Sequence, residues 1–472
     1  MLFDSLSYLV FLPSILLLYQ FLPKLFNPSK KSRVRGLILL IASLYFYGSW
    51  NYHYLALLVG SIILDFYVGI RIEGTASKSS KRFYLLLSLF GNFGALIFFK
   101  YYNFTVESLG LIGVQGLTLS NFLLPVGISF YSFQTACYSI DVYMGNLKAE
   151  RNLLNFSLYV SYFPQLVAGP IERAGNLLPQ LREHFDIKRA DIYEGVQRIF
   201  WGLFKKIVIA NRASQMVGGA FAEMETASTL KLIIGAYAFA IQIYADFSAY
   251  SDIAIGTSKI MGVTLMKNFD RPYSSTSLKD FWRRWHISLS TWFRDYLYMP
   301  LGGNRRHPAF NLFVVFAISG IWHGANWTFV AWGLWHFTFL MLEQAITKLQ
   351  FFKTISQNRF SKIWGHFITF HLVLIGWVFF RAESINDAFY YLQRMLGFVR
   401  NREGWLEPVN IAQLLILGGT YWFMDRLEAE QSKANSKSKF WSLKSPQLQL
   451  LVWAMIVYLG VFDGDVFIYF QF

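Results

Sequence analysis

The chain has 472 residues, of which 54% are hydrophobic, 19% aromatic and only 15% charged; average soluble domains carry about 25% charged residues, so an ordinary soluble surface is excluded. A formal net charge of +15 does not make it a nucleic-acid binder: the basic residues stand in short clusters between apolar stretches, with no nucleic-acid fold motif beside them. Basic cytoplasmic loops of a membrane protein explain the same excess, and the single cysteine, Cys137, excludes an internal disulfide or a thiolate metal cage.

In chain order, apolar windows of near-helix length fall at 6–22, 36–50, 53–70, 83–99, 121–143 and 153–169, then at 192–211, 229–258, 310–342, 363–380, 410–424 and 447–462. The first has no basic residue before it and no small-residue cleavage site, so it reads as a span and not as a removable signal. The pattern predicts an all-α polytopic membrane protein, a single integral-membrane domain over 1–472 with about ten to twelve membrane segments. Gly169-Pro170 and Gly302-Gly303 are expected breaks, because irregular backbone at membrane depth is tolerated only inside protein or beside a water-filled cavity. No internal copy of the kind seen in many transporters stands out.

Loop charge orients the chain. Lys24, Lys30, Lys31, Arg33 and Arg35 lie between the first two windows with no acid, and Arg71, Lys78, Lys81 and Arg82 oppose only Glu73 in the third loop. The intervening exits carry only Glu107, which puts the N-terminus outside. Lys348, Lys353, Arg359 and Lys362 mark one cytoplasmic loop, and Arg426, Lys433, Lys437, Lys439 and Lys444 mark another. The tail, residues 463–472, is thereby sent to the outer face. Charges through residues 145–310 are mixed and leave the parity there open.

Residues 278–306 do not read as a span. Trp282, Trp285, Leu289 and Trp292 recur at helical spacing with Arg283, Arg284, Arg294 and Asp295 between them, which predicts an aromatic, basic amphipathic helix too charged to cross lipid. Two readings stand: an interfacial helix on the membrane surface, or the wall of a polar cavity whose arginines face an anionic ligand. Downstream, the uncharged run 310–342 holds His323 among tryptophans, in Ser319-Gly320-Ile321-Trp322-His323-Gly324-Ala325-Asn326-Trp327. An ionisable side chain in such a run points to function, and histidine is the side chain best suited to move a proton near neutral pH.

These motifs resemble the membrane-bound O-acyltransferase family. Asp280 to Ser290, Arg294 to Arg305 and Ser319 to Trp327 carry the likeness most strongly, and Leu124 to Tyr131, Gly169 to Arg173, Tyr244 to Ser248 and Phe467 to Phe472 fit as well. Within the family they are most similar to the bacterial branch of alginate and peptidoglycan O-acetyltransferases. The resemblance implies a helical shell around a funnel, with a cytoplasmic acyl donor and an acceptor hydroxyl from the other side meeting at His323. It implies His286 as the second family position, either orienting its neighbours or stabilising the thioester oxyanion. The base chemistry agrees, since an alcohol is a poor nucleophile until a base takes its proton in the transition state.

The branch implies acetyl-coenzyme A as donor, held by Trp282, Trp285, Arg283, Arg284 and Arg294, with Lys205 and Lys206 as further phosphate partners. It also implies a polysaccharide acceptor, the bacterial inner membrane, contact with membrane lipid, and an extracytoplasmic SGNH-type partner. The tail is unusually apolar for a terminus and is expected to dock at the outer funnel. Tyr469 would there accept and relay the acyl group; the alternative is a plain hydrophobic plug. Asp246 and Asp252 are expected to be paired structural carboxylates, with Lys267 or Arg271 as nearby partners. His366 with His371, and His323 with His336, lack the ligand set of a zinc site, so no metal is expected. A transporter moving an acyl or sugar group without chemistry, or a lipid or protein acyltransferase, are the competing functions.

Overall fold

A computed structural model describes residues 1, 3–114, 116–183, 187–348, 359–397, 408–431, 445–462 and 467–468. Every regular element among the described residues is helical. Among the described residues, five helices are long and apolar enough to cross a membrane, within Leu6–Leu25, Tyr52–Gly74, Lys78–Leu111, Thr229–Ile260 and Phe360–Arg381. The other expected windows form helices that are shorter, interrupted or less apolar. Large apolar side chains stand exposed along the candidate spans, Val10, Ile63 and Phe90 among them, as a lipid-facing surface requires. The chain is a multi-pass membrane protein. Of the basic loops used above, Lys353, Lys433, Lys437, Lys439 and Lys444 lie outside the described residues.

The chain separates into two compact units. The first comprises Met1–Ile199 and Tyr250–Met266. It holds α1 (Leu6–Phe21), α2 (Pro28–Gly48), α3 (Leu55–Gly74), α4 (Lys78–Leu111), α5 (Ile128–Met144), α6 (Leu153–Ser161), α7 (Phe163–Leu166), α8 (Ala174–Glu183) and most of α9 (Arg189–Leu203). Helices α3, α4 and α5 pack on one another around Asp65, whose carboxylate accepts from Ser88 Oγ, from Asn92 Nδ2 at 2.7 Å and from Ser139 Oγ at 2.9 Å. The expected break at Gly169-Pro170 is present. After α7 the backbone runs irregularly to Arg173, with Val167 to Glu172 buried, as irregular backbone in lipid must be. Glu172 ties it down by accepting from Met266 N–H and, at 2.7 Å, from Asn176 Nδ2.

The second unit comprises Phe200–Ala249 and Lys267–Phe472. It holds a π-helical stretch (Phe204–Ala210), α10 (Asn211–Ala222), most of α11 (Thr229–Ile260), α12 (Leu278–Arg284) and α13 (Ile287–Phe293). A second π-helical turn (Arg294–Tyr298) precedes α14 (Pro308–His323), α15 (Trp327–Ile346), α16 (Arg359–Arg381), α17 (Ile385–Met395), α18 (Pro408–Gln431) and α19 (Pro446–Leu459). The uncharged run 310–342 is therefore not one span but a hairpin of α14 and α15. Two glycines let its backbones touch: a Cβ on Gly320 would lie 2.4 Å from Phe329 O, and one on Gly333 would lie 2.3 Å from Phe316 O.

Candidate active site

The stretch 278–306 is not a continuous amphipathic helix. Ser277 caps α12 by accepting from Asp280 N–H at 3.1 Å, and the helix stops at Trp285. His286 then takes left-handed backbone angles, φ 41° and ψ 57°, before α13 begins. Helical periodicity registers side-chain spacing and is blind to one left-handed residue between two short helices. The preceding segment takes up the backbone groups exposed at this corner: Asp270 N–H donates to Arg284 O at 2.9 Å, and Ile287 N–H donates to Asn268 O at 2.8 Å. The expected break at Gly302-Gly303 is present, both residues having positive φ, 110° and 54°.

The corner presents His286 to a cavity of about 240 Å³, and α14 presents His323, its last residue, to the same cavity. Trp282, Trp285, Arg283 and Arg294 also line it. Of the two readings of 278–306, the structure carries the cavity wall. His286 is 1% exposed and His323 4% exposed, whereas Lys279, Arg283 and Arg294 on the same wall are exposed. Positive charge thus marks the open side and imidazole the interior. Leu312, Val315, Phe316 and Leu340 supply an apolar stretch of lining.

Asn268 Oδ1 lies 3.1 Å from His286 Nδ1 and accepts from Ser288 N–H at 3.2 Å and from Ser288 Oγ at 2.9 Å. Phe247 packs edge-on to the His286 ring at 4.6 Å. Residue 286 is outside every candidate span, and burial lowers its imidazole pKa to about 3, which keeps the ring neutral at pH 7. Around His323 the rings of Trp322, Trp332 and Phe380 stand at 4.9, 4.9 and 5.3 Å, all edge-on. Gly324 makes the hairpin corner possible, since a Cβ there would sit 2.0 Å from the Phe329 ring. Asn326 caps α15 by accepting from Thr328 N–H at 3.0 Å and holds Glu383 O at 2.8 Å.

Other expected site residues lie elsewhere. Arg284 does not line the cavity; its Nε donates to Asp280 at 2.9 Å. Lys205 and Lys206 are buried and ion-paired, with Glu428 and with Asp246 (3.0 Å) respectively. Bound in this way, they are structural and not phosphate partners. The expected pairing of Asp246 and Asp252 with Lys267 or Arg271 is also corrected. Asp252 pairs with Arg198 at 3.0 Å, Lys267 with Asp270 at 2.6 Å and Arg271 with Asp425 at 3.0 Å. A buried carboxylate takes whichever cation the helix packing brings, and sequence distance does not report that. His371 bonds Phe367 O and Tyr237 OH, each at 2.7 Å. His336 is fully buried, 5.0 Å from Trp282 and 5.1 Å from Trp332.

Tyr469 lies outside the described residues. The last described residues, Phe467 and Ile468, are buried. Ile468 N–H donates to Asp246 Oδ2 at 2.8 Å, and the Phe467 ring stands 6.0 Å from Phe247, the same ring that packs on His286. Asn268 and Ser288 escaped sequence reasoning; a loop amide that bonds a residue eighteen positions later leaves no periodic or motif signal.

The family model for membrane-bound O-acyltransferases matches residues 146–382, which include both histidines and the whole cavity lining. The chain belongs to the membrane-bound O-acyltransferase family. It is 41% identical over 394 residues to a protein named probable alginate O-acetylase from Pseudomonas putida, covering 81% of this chain and 78% of the relative. The peptidoglycan O-acetyltransferase of Helicobacter pylori is 36% identical over 390 residues, covering 76% and 73%. The teichoic acid D-alanyltransferase of Bacillus subtilis is 30% identical over 283 residues, covering 56% and 71%. As a member of this family the protein is an acyltransferase.

Proposed function

We propose that the protein moves an acetyl group from cytoplasmic acetyl-coenzyme A to a hydroxyl of a cell-envelope or secreted polysaccharide, with His323 as general base. The observation that carries this reading is the convergence of His323 and His286 on one cavity whose exposed wall is cationic. Phosphates of the donor would meet Lys279, Arg283 and Arg294 by charge-assisted hydrogen bonds, while Trp282 and Trp285 line the path inward. The names of the alginate and peptidoglycan relatives support acetyl as the group and a polysaccharide as the acceptor.

In the chemical step the acceptor hydroxyl gives its proton to the His323 imidazole as its oxygen bonds to the thioester carbonyl carbon. Collapse of the tetrahedral intermediate breaks the carbon–sulfur bond, and the imidazolium returns the proton to the departing thiolate. A base so placed contributes about 10²- to 10⁴-fold. In this reading the first acceptor hydroxyl is that of Tyr469, which relays acetyl to an extracytoplasmic SGNH-type partner. Docking of Phe467 and Ile468 immediately upstream supports this. The bacterial inner membrane, with both termini outside, is the orientation that loop charge favours.

The test is incorporation of radiolabelled acetyl from acetyl-coenzyme A into alginate or peptidoglycan oligosaccharides by membranes containing the protein. Label in alkali-labile ester linkage to one of these glycans is expected. Turnover of long-chain acyl-coenzyme A into lipid, with no glycan labelled, would overturn the reading.

A further inference from the structure

We propose that Asn268 is a positioning residue that fixes the proton on His286: it holds the ring as the Nδ1–H tautomer, so that the neutral imidazole offers Nε2 as an acceptor. The inference rests on the reading of the cavity as the acyl-transfer site.

The argument starts from a backbone group. Ser288 N–H can only donate, and it lies 3.2 Å from the Asn268 side-chain amide. The atom facing it must therefore be the amide oxygen, because the alternative orientation would set N–H against N–H. The Ser288 hydroxyl lies 2.9 Å from the same atom and 3.5 Å from His286 Nδ1, so its single hydrogen goes to the nearer amide oxygen and not to the ring. That oxygen also lies 3.1 Å from His286 Nδ1. A bare ring nitrogen there would oppose two lone pairs, so Nδ1 carries the hydrogen. In a neutral imidazole the other nitrogen, Nε2, then holds the lone pair.

The backbone enforces the same arrangement. His286 is a non-glycine residue at φ 41°, a conformation that persists only where the surroundings over-determine it. Asn268 supplies much of that constraint, since its carbonyl accepts Ile287 N–H at 2.8 Å while its side chain takes Ser288 N–H. As the residue capping α13, His286 makes no side-chain cap bond. Asn268 takes that role from outside the helix and gains control of the ring with the same oxygen.

The chemical consequence separates the two roles open to His286. Stabilising a thioester oxyanion needs a donor aimed at it, and the neutral ring has spent its only N–H on Asn268. His286 instead accepts a hydrogen bond from an N–H or O–H of a substrate.

Thiol release from acetyl-coenzyme A, with alginate oligosaccharides as acceptor, tests this in the purified protein, its Asn268→Leu and Asn268→Asp variants, and His323→Ala. Asn268→Leu removes the acceptor and is expected to lower kcat about ten-fold or more while leaving KM for acetyl-coenzyme A nearly unchanged. Asn268→Asp keeps an acceptor for the same donors but places a carboxylate against Nδ1–H, which favours the imidazolium. The acidic limb of kcat/KM should then move up by about one to three pH units, because a protonated ring can no longer accept. The other charged or titratable groups on the cavity wall are Lys279 and Arg283 on α12, Arg294 and Tyr298 in the π-helical turn after α13, and His323 on α14, and α11 offers the uncharged Phe247. All are common to both variants. An unmoved acidic limb in Asn268→Asp, or wild-type kcat in Asn268→Leu, overturns the inference while the acetyltransferase reading stands. Wild-type protein no faster than His323→Ala overturns that reading and the inference with it. Should Asn268→Leu fail to fold, the pH profile of Asn268→Asp decides alone.

Discussion

His323 and His286 reach one cavity by different routes, the first as the last residue of a helix and the second as a left-handed corner between two short ones. Both were legible in the sequence, because each sits in a dense aromatic motif. The Asn268 contact on which the proposed division of labour rests was not, because Asn268 is a loop residue with no local signature. The cationic wall makes a separate prediction. Arg283→Ala and Arg294→Ala should each raise KM for acetyl-coenzyme A by up to about ten-fold, or ~1.4 kcal/mol, with kcat retained. Both side chains are exposed, so the effect should shrink as salt is raised. Steady-state kinetics at two ionic strengths checks this, and a KM unchanged at low salt would remove these arginines from donor binding.

At the scale of elements, the hairpin of α14 and α15 and the clamp on the tail are the features most open to test. Apolar composition alone made 310–342 look like one long segment; the glycine pair Gly320 and Gly333, which permits backbone contact, shows why it folds back. Gly333→Leu should overpack this contact at a cost of about 1–3 kcal/mol or more, read as a lower melting temperature in detergent. The corner at Trp285–His286 was equally hidden, since the spacing of Trp282, Trp285, Leu289 and Trp292 is compatible with an unbroken helix. For the tail, Lys206 and Asp246 form a buried pair, and Asp246 also holds Ile468 N–H. Removing one member of a buried pair costs about 3–5 kcal/mol. Asp246→Ala should therefore expose position 468: an Ile468→Cys reporter in a Cys137→Ala background is expected to react with a maleimide only when Asp246 is replaced. Equal labelling in both backgrounds would refute the clamp.

For the molecule as a whole, composition already excluded a soluble protein, and the five apolar helices and exposed apolar side chains agree with that reading. The cation partners of buried carboxylates were the least legible level. Lys206 meets Asp246 and Arg198 meets Asp252 through helix packing that no local pattern encodes. The proposed orientation, with the N-terminus outside, can be checked directly. A Ser5→Cys reporter should be labelled by a membrane-impermeant maleimide in intact spheroplasts, and labelling only after permeabilisation would invert the topology. The central claim, that one imidazole takes the acceptor's proton, is tested most directly by thiol release from acetyl-coenzyme A in purified wild-type and His323→Ala protein with matched melting temperatures. A loss of about 10²-fold or more in kcat is the expected result; equal rates would contradict the account.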